Sequence, residues 1–297
     1  MTPFKIGYFA DGPWSHGSLD LITSDPSLAV EFICARYDAP DPVLREKANF
    51  LNIPFLTHEN VNSPAFTSLL SDINCDIFVS MSFNQILRPK TYSLPRFGTI
   101  NCHAGMLPYY RGRNILNWAL INDEKSFGIT VHYVDSGVDT GDIISQKSFP
   151  ICDNDDYSSL LKVAYKECPP LLYGAILDIC NCRADRIPQK TIHPHGSYFS
   201  QRVVGDEIID WNQPSRSIFN FVRALSTPGP NAQTFVGSNC IKIAKVELID
   251  TAPIYKCIPG AILAKDDNTF IVKTSDSYLR LLQWQCDFKL AAGMRFS

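Results

Sequence analysis

Asn101 and His103 stand at alternate positions just after an apolar run that ends at Ile100, and Asp139 lies farther along on a Gly-bounded turn, Asp139-Thr-Gly-Asp142. If the run is a strand, side-chain alternation sends Asn101 and His103 to one face of its C-terminal edge and Cys102 to the other. A histidine there offers a base near neutral pH, and the amide offers a neutral hydrogen-bond donor. That pair suits attack on a carbonyl through a charged tetrahedral intermediate, with the turn acid available to orient the base. A structural histidine beside an ordinary turn acid fits the spacing equally well. Between the two ends lie Pro108-Tyr-Tyr-Arg-Gly-Arg-Asn114, a predicted helix from Ile115 to Asn122 and the strand-like Gly128-Ile-Thr-Val-His-Tyr-Val134. His132, inside that last run, is read as a satisfied inward-facing histidine rather than a second catalyst.

The elements that must position these residues follow an alternating pattern. Phe4–Ala10 reads as a buried strand, and Asp11–Gly17 as a turn leading into Ser18-Leu-Asp-Leu-Ile22. Ala29–Arg36 is a strand, Pro42–Leu51 and Ala65–Ser71 are helices, and Ile77–Ser80 is a strand. Alternation of this kind implies an α/β fold with a doubly wound, mainly parallel sheet whose site lies at the strand C-terminal edges, where Trp14, Phe83 and Asn101 fall. Asp153-Asn-Asp-Asp156 caps a helix running toward Cys182, which Pro169-Pro170 should kink or break. The polar, Pro- and Gly-punctuated stretch 187–205 reads as a linker between a domain at 1–186 and a smaller one at 206–297. In the latter, an amphipathic helix at Ser215–Leu225 precedes short strands at 233–236, 240–248, 261–263, 270–273 and 278–283. These imply a small β barrel or sandwich.

The 297 residues, 45% hydrophobic and 11% aromatic, provide for real cores in about two domains. No apolar run approaches a membrane span and no leader precedes the first strand, so a cytoplasmic protein without membrane insertion is expected. The ten cysteines form no secreted framework and are expected reduced. Cys180-Asn-Cys182 with His193 and His195 lacks the usual ligand spacing, and no metal is expected. Neither a GxGxxG turn nor a GxxxxGK[ST] loop is present, which sets aside dinucleotide cofactors and P-loop chemistry. With 27 basic and 30 acidic residues and no dense basic run, composition speaks against a nucleic-acid partner, although a folded patch can be assembled from scattered residues.

The run Asn101-Cys-His-Ala-Gly-Met-Leu-Pro-Tyr-Tyr-Arg-Gly-Arg-Asn-Ile-Leu-Asn-Trp-Ala119, followed by Val138-Asp-Thr-Gly-Asp-Ile143, resembles the N10-formyltetrahydrofolate-dependent formyltransferases. The fuller wording is most similar to the nucleotide-sugar N-formyltransferases. Ile209-Asp-Trp211, Arg223-Ala-Leu225 and Pro228-Gly-Pro230 look like the opening of that superfamily's C-terminal OB-like subdomain, so the resemblance covers most of the chain.

The resemblance implies a formyltransferase with N10-formyltetrahydrofolate as co-substrate. Its catalytic residues would be Asn101 for the oxyanion, His103 for the amine proton and Asp139 to hold His103 or a bridging water and help protonate N10. It places the pterin against the loop carrying Phe83, Gln85, Ile86 and Leu87, largely through main-chain contacts, with Asp135 shaping the folate loop. For Ile86 and Leu87, core packing is an equal reading. Arg111, Gly112, Arg113 and Asn114 would meet a diphosphate, and Trp14, Ser15 and Tyr198 the sugar, phosphate or base. The acceptor so implied is a dTDP-linked amino sugar, with dTDP-4-amino-4,6-dideoxyglucose first, destined for surface polysaccharide, and the usual assembly is a homodimer. Methionyl-tRNA formylation and a non-catalytic folate or nucleotide binder are the alternatives. Glycinamide ribonucleotide formylation would leave the C-terminal residues without a purpose.

Overall fold

The computed structural model describes residues 2–297. In chain order its first elements are β1 (Phe4–Ala10), α1 (Pro13–Thr23), β2 (Leu28–Ala35), α2 (Pro42–Leu51), β3 (Phe55–Thr57), α3 (Pro64–Ile73), β4 (Ile77–Met81) and α4 (Pro89–Tyr92). Next come β5 (Thr99–His103), β6 (Arg111–Gly112), α5 (Ile115–Ile121), β7 (Ser126–Tyr133), β8 (Ile143–Pro150), α6 (Tyr157–Cys180), α7 (Gln189–Ile192) and β9 (Tyr198–Phe199). The rest are α8 (Ser215–Ala224), β10 (Ala232–Val236), β11 (Asn239–Leu248), β12 (Ile262–Asp266), β13 (Thr269–Lys273) and β14 (Tyr278–Gln285).

Contacts divide the chain into two compact units that do not follow it linearly. The first runs to Gly112 and takes up Gly128–Phe149 and Lys162–Tyr198; the second gathers Arg113–Phe127, Pro150–Leu161 and Phe199–Ser297.

The first unit is built on a seven-stranded sheet in the order β3-β2-β1-β4-β5-β7-β8. β1, β2, β3, β4 and β5 pair in parallel, and β7 runs antiparallel to β5. The apolar runs of β1 and β4 are buried almost throughout, as strands covered on both faces require. Strand order reverses between β1 and β4, which opens a crevice beyond their carboxyl ends. Local signals set the flanking helices. Asp41 accepts hydrogen bonds from Val43 N and Leu44 N to cap α2, Ser63 accepts from Phe66 N to cap α3, and left-handed Asn52 and Asn74 terminate them.

Three expectations about this unit are corrected. Helix α1 begins at Pro13, inside the stretch read as a turn, because proline's fixed φ is preorganised for a first helical position. Helix α6 runs unbroken through Pro169 and Pro170. Two interior prolines cost about 6 kcal/mol, and burial of Leu172, Ile176 and Ile179 alone, at about 1.5–3 kcal/mol each, offsets that. The segment read as a linker is not free chain: Ile187 bridges Ile143, Gln189–Ile192 forms a helical turn, and β9 pairs with β6.

The second unit carries a five-stranded antiparallel sheet in the order β10-β11-β14-β13-β12, with α8 lying against β11, β14 and α5. Its core joins Ile218 and Val222 of α8 to Ile241, Ile243, Val272 and Leu281 of the sheet, and Trp211 stacks on Phe296 at 5.2 Å between ring centres. The last residues cover the edges of this sheet. Ser297 exchanges hydrogen bonds with Phe235 of β10 while Met294 O accepts from Ile262 of β12, so both edge strands are occupied. Lys273, fully buried, donates to the carbonyls of Tyr255, Thr274 and Ser277 at 2.7, 2.9 and 2.8 Å. Among the described residues no helix is long and apolar enough to cross a membrane.

Candidate active site

Strand β5 delivers Asn101 and His103 to one face, and its antiparallel partner β7 completes that face. Asn101 is registered opposite His132, and His103 opposite Thr130. Directly opposed residues of an antiparallel pair lie side by side. Asn101 Nδ2 accordingly donates to His132 Nε2 at 3.2 Å, and His132 Nδ1 donates to the carbonyl of Tyr133 at 2.8 Å. A carbonyl oxygen can only accept, so the His132 proton resides on Nδ1 and Nε2 is left to accept the amide. One of the two Nδ2–H bonds of Asn101 is committed in this way, and its orientation is fixed.

His103 is settled by the loop that follows. Its Nε2 donates to Tyr110 O at 2.7 Å, which leaves Nδ1 as the ring's free nitrogen, 3.7 Å from Asp139 Oδ2. Gly105 lines this contact, and a Cβ there would collide with both His103 Nε2 and Tyr110 O. Thr130 Oγ1 anchors the same loop by donating to Gly105 O at 2.6 Å.

Asp139 arrives from the turn between β7 and β8. Its carboxylate accepts from Gly112 N at 2.9 Å and lies 3.6 Å from His132 Nε2. Burial pushes its carboxyl pKa up, but the charges that His103 and His132 carry as imidazoliums, together with the Gly112 N–H, outweigh burial and hold it well below the usual carboxylate range. Asp135 shapes the turn, accepting from Gly137 N and Thr140 Oγ1 at 3.0 and 2.5 Å. Gly141 is required because a Cβ would run into Tyr133 O. The set thus combines a permanent anion, an imidazole with one nitrogen free and an oriented amide, which is equipment for acyl transfer to an amine.

The other anticipated residues separate into several groups. Ile86 is 72% exposed on the loop after β4, while Leu87 is buried in the core and Phe83 packs edge-on against Phe9. Gln85 braces the neighbouring loop, its Oε1 accepting from Val61 N and its Nε2 donating to His58 O. Trp14 packs edge-on against Tyr165, and Ser15 is fully buried with Oγ donating to Gly12 O. Arg111 is 5% exposed and spent internally. Its Nε and Nη2 donate to Gln189 Oε1 at 3.0 and 2.6 Å, and its Nη1 donates to His195 O and to the Tyr198 hydroxyl. Gly112 serves Asp139 through its N–H. In the second unit, Asn114 accepts from Arg202 N at the start of α5, and exposed Arg113 donates to Gln201 Oε1. His132 enters the cluster only through strand register, and Gln189 only through the fold; no local motif marks either.

A formyl transferase family model matches residues 17–173, and a formyl transferase C-terminal domain model matches residues 204–295. The methionyl-tRNA formyltransferase of Pelotomaculum thermopropionicum is 31% identical over 260 residues, covering 87% of this chain and 81% of that protein. The bifunctional polymyxin resistance protein ArnA of Wigglesworthia glossinidia brevipalpis is 33% identical over 250 residues, which are 82% of this chain and 36% of ArnA. Among solved structures, that of WlaRD, a sugar 3N-formyl transferase, superimposes with a TM-score of 0.72 at 24% identity, covering 98% of this chain and 100% of that one. At that identity the likeness is one of fold.

These relatives overturn the expected amino-sugar acceptor. Methionyl-tRNA formyltransferases are similar over most of the chain at above 30% identity, whereas the sugar enzymes share the fold at lower identity. Of the two arginines in the diphosphate reading, Arg111 has its guanidinium engaged by Gln189, His195 and Tyr198, while Arg113 is exposed and donates to Gln201; Asn114 Oδ1 accepts from Arg202 N. The lack of a contiguous basic run does not by itself exclude a nucleic-acid partner, because residues scattered along a chain can form one surface when it folds. The chain belongs to the formyl transferase family and is a formyl-transferring enzyme.

Proposed function

We propose that this enzyme moves the formyl group of N10-formyltetrahydrofolate to the α-amine of methionyl-tRNA. The observation that carries the reading is the similarity to methionyl-tRNA formyltransferases over 260 residues, a span that includes the Asn101, His103 and Asp139 cluster. The loop after β4 fits a flat hydrogen-bonding co-substrate: Ile86 presents an exposed apolar surface, and Asn84 Oδ1 is buried without a hydrogen-bond partner.

The attacking amine must be neutral. His103 Nδ1, left free because Tyr110 O holds the proton on Nε2, takes the amine proton, and Asp139 stabilises the imidazolium that results. Asn101, its plane fixed by His132, directs an amide N–H at the formyl oxygen as negative charge builds there. His103 then returns the proton toward N10 as the folate departs. Asp139 stays ionised throughout, as its depressed pKa requires.

Formyl transfer from N10-formyltetrahydrofolate to methionyl-tRNA, measured for the wild type and His103→Asn, tests this. Turnover on the tRNA that falls at least about 10²-fold in the variant is expected. Turnover on a dTDP-amino sugar with none on the tRNA would refute the acceptor, and equal rates for the two proteins would refute the role of His103.

A further inference from the structure

Asp139 carries its carboxylate on a backbone that few side-chain-bearing residues adopt, with φ of 53°. The left-handed region costs a non-glycine residue about 1–2 kcal/mol. The compensation comes from Gln189, which is 2% exposed. Its Nε2 donates to Asp139 O and Gly141 O, both at 2.8 Å, which pins the main chain on either side of Thr140. Its Oε1 accepts from Arg111 Nε and Nη2, and Arg111 directly precedes Gly112, whose N–H holds Asp139 Oδ2 at 2.9 Å. One carboxamide therefore ties together the main chain beneath the carboxylate and the residue next to the donor that orients it.

The chemistry of the side chain matters. Two carbonyls on one side require donors, and a guanidinium on the other requires an acceptor; of the side chains of this length, only a carboxamide supplies both without a net charge. Glutamate would turn an acceptor toward two carbonyl oxygens, and an apolar residue would strand all four partners.

We propose that Gln189 is a positioning residue for turnover, holding the Asp139 carboxylate at its 3.7 Å separation from His103 Nδ1. The proposal rests on the reading that Asp139 acts in catalysis. Gln189 touches no reacting atom, so its loss lowers kcat, on the order of 10²-fold, and leaves KM for the formyl donor unchanged.

A double-mutant cycle in kcat tests it, using wild type, Gln189→Leu, Asp139→Asn and the double variant of the full chain. If Gln189 acts through the carboxylate, Gln189→Leu costs on the order of 10²-fold in the wild type but less than about threefold in the Asp139→Asn background. The same loss in both backgrounds, or no loss in either, overturns the proposal while leaving the role of Asp139 intact. An Asp139→Asn enzyme as fast as wild type would instead bring down the underlying reading. Should Gln189→Leu fail to fold, Gln189→Glu keeps the acceptor for Arg111. The ratio of its kcat to that of the wild type at the same pH should rise as pH is lowered and the new carboxyl gains a proton to donate, and a ratio independent of pH would count against the proposal.

Discussion

Replacing Asp139 with asparagine removes a charge while keeping the shape and an oxygen for the Gly112 N–H. The cost follows from geometry. Asp139 Oδ2 lies 3.7 Å from His103 Nδ1, and the two side chains are only 15% and 9% exposed. With an effective dielectric of about 20, a carboxylate and an imidazolium at that separation attract by about 4–5 kcal/mol. The attraction exists only once His103 has taken the amine proton, so it lowers the barrier rather than binding the ground state. At about 1.4 kcal/mol per decade the ceiling is on the order of 10³-fold, and solvent or side-chain relaxation in the variant brings the expected loss of kcat to about 10²–10³-fold. The assay is initial-rate formyl transfer with both substrates saturating, accompanied by donor KM and a thermal melt. A folded Asp139→Asn enzyme whose kcat lies within about tenfold of wild type would refute the claim that this carboxylate stabilises a positive His103.

Gly105→Ala should fold but lose at least about 10²-fold in kcat, since its methyl would displace His103 from Tyr110 O; an unchanged rate would show that the tautomer is not set there. Lys273→Met should cost about 2–4 kcal/mol in urea unfolding, because two buried carbonyls and one partly buried carbonyl lose their donor. Asp123 has its carboxyl pKa lowered to about 2, chiefly by hydrogen bonding to Arg216. Its contribution is full above the unfolded value near 3.9 and is lost as pH falls toward about 2, so Arg216→Met should flatten the acid limb of the stability curve in that window. A limb of unchanged steepness in the variant would count against the pair.

Alternation along one strand was enough to bring Asn101 and His103 to a common face, and the apolar strand and helix runs were enough to indicate the parallel sheet. Asp139, by contrast, is set apart from Asp135 and Asp142 only by the family resemblance, because all three lie near one turn and nothing local distinguishes the acid that folds back on Gly112 N. His132 reads as an ordinary inward histidine until β5 and β7 pair antiparallel, a register that neither strand specifies alone. Arg111 misled in the opposite direction. An arginine between glycine and tyrosine looks like a surface anion binder, and its burial depends on Gln189, His195 and Tyr198, which lie far away in sequence. The double proline of α6 misled because helix-breaking propensity is local, whereas the burial that overcomes it is tertiary.

The interleaving of the two units bears on how such a protein can evolve. Residues 113–127 and 150–161 precede the second unit's sheet in the chain, yet they pack within it. Asn117 donates to Ala224 O at 2.6 Å, Arg216 joins Asp123 to Asp153, and Arg223 reaches Cys152 O at 2.7 Å. A crossover near residue 199 that brought in a foreign C-terminal half would sever each of these bonds and expose the apolar side of α5. The C-terminal half is therefore not an exchangeable cassette. A replacement C-terminal half would have to bring residues matched to Asn117, Asp123 and Cys152, so the unit is inherited as interleaved segments rather than as one contiguous module.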